Sequence, residues 1–194
     1  MTGTTDIRAT ILAAALAIVR KQGLGALTQP RVAKASGVSQ SHLTYYFPTR
    51  ADLVRAVLEA AVAGQIANLG SAMASRDSQE ARLAGLAAAL SNAENTRILV
   101  SIVLAADADP AYRELYNRLV TAMRQRAELM LRTGGLEPTA EQVMLLHALG
   151  TGLAVMGAAL GPQTGRAVST TVLRELFRLL ARDAGQRTPP DETT

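Results

Sequence analysis

At 194 residues the chain is long enough for one full-sized domain, or for a module of about 50 residues attached to a larger body. It is 48% apolar but only 3% aromatic, with alanine and leucine dominant, which points to helix, and its lack of cysteine excludes a disulfide framework or a thiolate metal site and makes a reducing compartment, the cytoplasm, the expected setting. The net charge of +4 is unevenly placed: residues 1–50 hold six basic side chains against one acid, +5, which leaves −1 for the other 144 and turns one end of the chain towards a polyanion.

The first predicted helix runs from about Thr5 to Lys21, with Ile7, Ile11, Leu12, Ala15, Ile18 and Val19 on one stripe, and Gly23 and Gly25 end it. A short second helix starts at Thr28, whose hydroxyl can cap the free amides while Pro30 sits in the first turn, and it ends at Ser36-Gly37. Ser39 caps a third, Gln40 to Tyr46, which Pro48 closes. Thr49 caps the fourth, roughly Arg50 to Ala74, which joins the basic module to the body without a flexible linker. Further helices are expected near Ser78–Ser91, Asn95–Ala106, Pro110–Arg132, Thr139–Leu160 and Ser169–Asp183. Asp109-Pro110 and Pro138-Thr139 mark starts, while Gly134-Gly135 and Gly161-Pro162 mark breaks. The polar tail from Gly185 to Thr194 is expected to be disordered, and there is no internal repeat.

Two stretches have the look of membrane segments. The apolar run Ala9 to Val19 follows Arg8 as a secretory core would, but Arg20, Lys21 and Gln22 stand where small residues and a cleavage site belong. From Gln142 to Gly165 there is no Asp, Glu, Lys or Arg, a length sufficient for a bilayer. It nevertheless holds Gln142, His147, Thr151 and several glycines and lacks a flanking aromatic belt or basic cluster, so a helix buried in a dimer interface explains it better.

The stretch LTQPRVAKASGVSQSHLTYYFPTR, Leu27 to Arg50, reads as two short helices separated by Ser36-Gly37-Val38, a helix-turn-helix. Val32, Ala35, Val38, Leu43 and Phe47 are spaced to share a small core with the first helix. Gln40, Ser41, His42, Thr44 and Tyr45 are left facing outward, as major-groove reading needs.

The run GVSQSHLTYYFPTRADLVRAV, with TILAAALAIVRKQGLGALTQPRVAKASG before it, resembles the DNA-binding module of the tetracycline-repressor family over about residues 5–60. Ala14, Gly23, Thr28, Ala33, Gly37, Val38, Leu43, Tyr46, Phe47 and Leu53 fall where that family's pattern expects them. The resemblance implies phosphate contacts from Thr28, Tyr46 and Arg50 and base reading by Gln40, whose amide can pair bidentately with adenine, with Ser41, His42 and Tyr45 as neighbours in that role. Gln29, Arg31, Ser39 and Thr44 complete the expected DNA-contacting set. Thr44 departs from the family's usual Tyr and loses reach, and Pro30 stands where some members carry a basic residue, which throws the reading onto the third helix.

The resemblance further implies an all-α protein of about nine helices, divided into a helix-turn-helix domain (1–48), an effector-binding and dimerisation domain (49–184) and a tail (185–194). The charge-free helix supplies Leu153 and Met156, and the last helix Leu173, Leu176, Phe177 and Leu180, to a four-helix homodimer interface. Effector-binding candidates are Met73, Leu86, Leu90, Ile102, Tyr112, Tyr116, Met123, Met144 and His147; Tyr112 with Tyr116, and Asn92 with Thr96, could orient a mostly apolar molecule.

Catalysis has no constellation to rest on: the two histidines lie over 100 residues apart, there is no glycine-rich phosphate loop or His-Glu metal motif, and Asp107 and Asp109 read more simply as part of a helix start. No cofactor or metal is expected. A membrane-surface role conflicts with the polar outer face of Gln40 to Tyr45. The function expected is a repressor that binds a palindromic operator in double-stranded DNA as a homodimer and is released by a small, largely apolar effector, activation being the alternative that only operator position relative to the promoter would decide.

Overall fold

The computed structural model describes residues 6–73 and 78–187, with side-chain surroundings for 6–68 and 78–183. Among them are nine α-helices and no strand: α1 (Ile7–Gln22), α2 (Gln29–Ser36), α3 (Gln40–Tyr46), α4 (Arg50–Met73), α5 (Gln79–Leu90), α6 (Ala93–Ala108), α7 (Arg113–Thr133), α8 (Ala140–Leu160) and α9 (Pro162–Arg187). Short 3₁₀ turns, Leu24–Ala26 and Pro110–Tyr112, precede α2 and α7. The all-α expectation holds.

Helix starts follow the local chemistry. The Asp6 carboxylate accepts the Arg8 and Ala9 amides at the head of α1, so this cap, rather than the expected Thr5, starts the helix; Thr5 itself lies outside the described residues. Ser39 Oγ accepts the His42 N–H at 3.2 Å. Thr49 and Asp52 cap α4 reciprocally, the Thr49 hydroxyl accepting the Asp52 N–H while the Asp52 carboxylate accepts the Thr49 N–H and O–H. The Thr49 hydroxyl, then the Thr49 amide, holds the Asp52 carboxyl below its ordinary protonation range. Thr139 and Gln142 form the same box at α8.

Two expectations about breaks need correction. Helix α9 starts at Pro162, seven residues before Ser169, because proline is tolerated in a helix's first turn, where its missing N–H has no partner to lose. The chain turns at Gly161 alone, at φ +83°. At the far end Gly185 to Arg187 belong to α9, so the expected disorder does not begin there; residues 188–194 lie outside the described residues, as does the expected end of α4 at Ala74.

The described residues form two compact units, 6–67 with 94–119, and 68–73 and 78–93 with 120–187. In the first, α1 packs on α2 and α2 on α3. Ile11, Ala15 and Val19 of α1, Val32 of α2, Leu43 of α3 and Phe47 are buried. Ala33 takes the place expected of Ala35, which is exposed, because α2 begins at Gln29 and its 3.6-residue period turns 29, 32, 33 and 36 inward. Val38 is half-buried. Gly37 sits in the left-handed region, φ +72°, which lets the chain reverse between α2 and α3 without Cβ strain.

The second unit is built on one apolar cluster that includes Leu83 and Ala87 of α5, Met130 and Leu131 of α7, Leu146 and Leu153 of α8, and Leu173 and Phe177 of α9. Helices α8 and α9 meet at two glycines: a β-carbon on Gly165 would sit 2.8 Å from the Gly157 Cα. Gly165 is therefore the point of closest approach between two helices, not part of a loop.

Candidate nucleic-acid interface

The outer face of α3 is made by the residues that its inward anchors leave over. Leu43 is wholly buried and Phe47 nearly so, under the Arg8 guanidinium 5.5 Å from its ring centroid. Gln40, Ser41, His42 and Tyr45 are exposed, Tyr45 to 80%. Gln40, His42 and, at the start of α4, exposed Arg50 have no side-chain hydrogen-bond partner among the described residues. Tyr45 and half-buried Tyr46 meet edge to face, 5.2 Å between centroids, which orients both rings.

The other expected DNA contacts have partners of their own. Gln29 Nε2 donates to the Phe47 carbonyl at 3.0 Å, tying the start of α2 to the end of α3. Arg31 donates to the Ala26 carbonyl at 3.2 Å and to Gln22 Oε1 at 2.6 Å, bracing the α1–α2 corner. Thr44 turns its hydroxyl back to the Gln40 carbonyl at 2.6 Å, and Ser41 shares a 2.9 Å hydrogen bond with Ser39. Thr28, expected to cap α2 with its hydroxyl, stands at the capping position but makes no side-chain cap bond, so that exposed hydroxyl is left for another acceptor.

The expected effector residues divide between the units, with Ile102, Tyr112 and Tyr116 in the first and Leu86, Leu90, Met123, Met144 and His147 in the second; the side chain of Met73 lies outside the description. Ile102 is 1% exposed and Tyr112 is buried with the Arg55 guanidinium 5.6 Å from its ring centroid. Within the first unit a cleft of about 380 Å³ is lined by Val103, Ala106, Asp107, Arg113, Tyr116 and Asn117, so of the expected set it includes Tyr116.

His147 has a buried Nδ1 without a partner, and Met144 accepts a hydrogen bond from Arg124 at 3.2 Å. Burial first, and then the Arg124 charge, holds the imidazole below its ordinary pKa of 6.5. The folded chain thus binds this proton more weakly than the unfolded chain does. The stability the group contributes is fully present above 6.5 and is lost as the pH falls through the lower folded value. Melting curves from neutral pH downward should therefore fall less steeply for His147→Leu than for the wild type, and equal slopes would remove His147 from the account.

The expected dimer residues require a correction. Leu153, Leu173, Leu176, Phe177 and Leu180 are buried within the chain's own core, where they close α8 and α9 on α5 and α7. Met156 alone of that set is exposed, at 53%, and it shares its surface of α8 with Leu145 and Val155, each at 49%. Leu160 of α8 and Leu179 of α9 are exposed as well. Helix α8 is long and apolar enough by length and composition to cross a membrane, and 22% of its apolar window is buried inside the chain. Among the described residues no group of three His, Cys, Asp or Glu side chains could hold a metal ion.

Residues 11–57 match the family described as bacterial regulatory proteins, tetR family. No curated protein matches the sequence. The fold recurs in a TetR transcription regulator from Haloarcula marismortui at 19% identity and TM-score 0.72, with 91% of this chain and 99% of that one covered. It recurs in SCO4454, a TetR-family transcriptional regulator from Streptomyces coelicolor, at 17% identity and TM-score 0.71, over 90% and 96% of the two chains. A third likeness is to the multidrug-binding protein EbrR complexed with proflavin, at 20% identity and TM-score 0.64, over 88% and 99%. The helix-turn-helix and its polar outward face have the form of a DNA-binding module, and the remaining described helices form the body that follows it. The N-terminal module thus matches the tetR family of bacterial regulatory proteins over residues 11–57, and the fold of the chain is the one seen in TetR-family regulators.

Proposed function

We propose that the chain is a cytoplasmic, ligand-responsive repressor whose homodimer binds a palindromic operator and leaves it when a small, largely apolar effector binds. The observation that carries the reading is the exposed polar face of Gln40, His42 and Tyr45 on a module of net charge +5. In this reading residues 1–48 contact DNA and 49–184 bind effector and partner. Gln40 reads a base edge, and Thr28, Tyr46 and Arg50 hold phosphates. That EbrR, which shares this fold, is a multidrug-binding protein complexed with proflavin supports a small-molecule effector. Reciprocity then requires operator DNA to weaken effector binding by the same factor, with coupling typically about 1–3 kcal/mol.

The exposed apolar side chains of α8, Leu145, Val155 and Met156, support dimerisation, since covering them with a partner would remove apolar surface from water. A two-fold dimer sets its reading helices roughly 34–36 Å apart, one DNA turn, and so asks for a palindrome.

The test separates the phosphate contact from the base contact. Arg50→Ala should weaken specific and non-specific duplexes alike and flatten the salt dependence by about two counterions per dimer, with sequence preference kept. Gln40→Ala should cost about 1–3 kcal/mol per bidentate contact on the true operator and abolish preference at one symmetric pair of positions, with the salt slope unchanged. Titrations at several salt concentrations against single-base operator variants read both. Identical behaviour of the two variants would remove α3 as the reading helix.

A further inference from the structure

Helix α1 ends at Gln22, and its next backbone hydrogen bond would have run from the Leu24 N–H to the Arg20 carbonyl, four residues back. Gly23, at φ +79°, turns the chain before that bond can form, although its own N–H still reaches the Val19 carbonyl at 2.8 Å. Both halves of the missing bond are taken up by α6. Ser101 Oγ accepts the Leu24 N–H at 3.2 Å, and the Arg97 guanidinium donates to the Arg20 carbonyl at 3.2 Å. Each contact joins residues 77 apart in sequence, and all four residues belong to the first compact unit. Arg97 and Ser101 are themselves four residues apart and share one face of α6. Ser101 is 4% exposed, so water cannot readily take its place against the amide.

We propose that Ser101 and Arg97 are positioning residues for DNA reading, a two-point clasp through which α6 sets the direction of α1. The packing of α1 on α2 and of α2 on α3 carries that direction to the reading helix. Two features separate the clasp from ordinary core packing. Apolar burial is non-directional, whereas a pair of hydrogen bonds one helical turn apart fixes an axis. The Arg20 carbonyl of α1 and the Leu24 N–H just past its end are both backbone groups, so the clasp holds the end of the helix and not a side chain that could swing. A module whose direction is unset occupies its binding-competent orientation only part of the time, and operator affinity falls by that fraction. A dimer is the more sensitive, because two α3 helices must meet two half-sites at one separation. The inference rests on the reading of α3 as the DNA-reading helix.

The experiment uses the full-length chain and a duplex that the wild type selects from a random-sequence library, remade with one base pair added or removed between the half-sites. The wild type should discriminate sharply among these spacings. Ser101→Ala and Arg97→Ala should each lower affinity for the selected spacing by about tenfold, the scale of losing one buried or charge-assisted partner. They should lose less on the altered spacings, so that the preference flattens, and leave binding to random duplex and the salt slope unchanged. Ser101→Thr, which keeps the hydroxyl, should restore the preference. Arg97 is exposed, so its variant leaves the core intact, and Leu131→Ala in the other unit serves as a variant that lowers stability without touching the clasp. Wild-type affinity and spacing preference in the Arg97→Ala/Ser101→Ala double variant would overturn the clasp, as would equal flattening by Leu131→Ala. Failure of the wild type to select any sequence would instead overturn α3 as the reading helix, and the clasp with it.

Discussion

Gly165→Ala is expected to destabilise the protein, and Gly165→Val to do so more severely. In an ordinary helix interior, replacing glycine by alanine gains roughly 0.8–1 kcal/mol of helix propensity, so the default expectation has the opposite sign. At this position the new β-carbon would lie 2.8 Å from the Gly157 Cα and 3.1 Å from the Gly157 carbonyl oxygen. Those are backbone atoms of the facing helix, so no side-chain rotation relieves the clash, and α8 and α9 must move apart along the contact that closes the second unit's core. Overpacking of a tight core costs about 1–3 kcal/mol and occasionally more, against a total stability of about 5–15 kcal/mol, so the clash outweighs the propensity gain. Gly64→Ala in α4 is the matched control, because nothing lies within 4 Å of its β-carbon position, and it should gain about 0.5–1 kcal/mol. Urea unfolding of the two variants reads the contrast. A stabilised Gly165→Ala would mean that the two helices pack further apart than the glycines indicate.

Met156→Arg should convert the protein to a monomer and lower operator affinity by at least about a hundredfold, towards the non-specific level that specific binding typically exceeds by 10³ or more. Met156 is 53% exposed, so a charged side chain there meets water in the isolated chain and leaves the core untouched. In a dimer that buries this surface the two symmetry-related arginines would lie unpaired at an apolar interface, a strongly unfavourable placement. Light scattering and operator titration on the same sample test both consequences, with an unchanged helical circular-dichroism spectrum and a cooperative melt as the check on folding. Leu176→Arg is no substitute. Leu176 is buried in the chain's own core, so an arginine there would unfold the second unit and abolish dimerisation for an uninformative reason. A dimeric Met156→Arg variant with wild-type operator binding would remove α8 from the interface.

The N-terminal module was legible because its information is local. Ser39 and Thr49 cap the helices that follow them, Gly37 reverses the chain, and Leu43 and Phe47 recur at helical spacing. Each of those rules acts over a few residues, which is why the bounds of α3 could be read directly as Gln40 to Tyr46. The outward set of α3 follows by subtraction from the same period. Ala33 against Ala35 marks the limit, since both lie beside Val32 on a helix and only the direction in which α2 faces α1 decides which methyl is buried.

The body was legible as helices but not as surfaces. Leu153 and Met156 lie on the same uncharged helix and look equivalent in sequence, yet one is core and the other is exposed. Which apolar face of a helix is covered depends on where α5 and α7 lie, and no periodicity within α8 carries that when the residues on every side of it are apolar or small. Gly165 fell in the gap between the two expected helices; only the approach of Gly157, brought there by the tertiary fold, makes glycine the residue that fits. Ser101 and Arg97 carried no local signal, because the hydrogen bond they replace belongs to a helix 77 residues earlier. Sequence by itself determined where most of the helices lie, the Ser39 and Thr49 caps and the residues turned outward on α3, all set by interactions within a few residues. The tertiary structure alone decided which apolar faces are core, where two helices touch and what completes the broken end of α1, because each depends on atoms that the chain brings together only on folding.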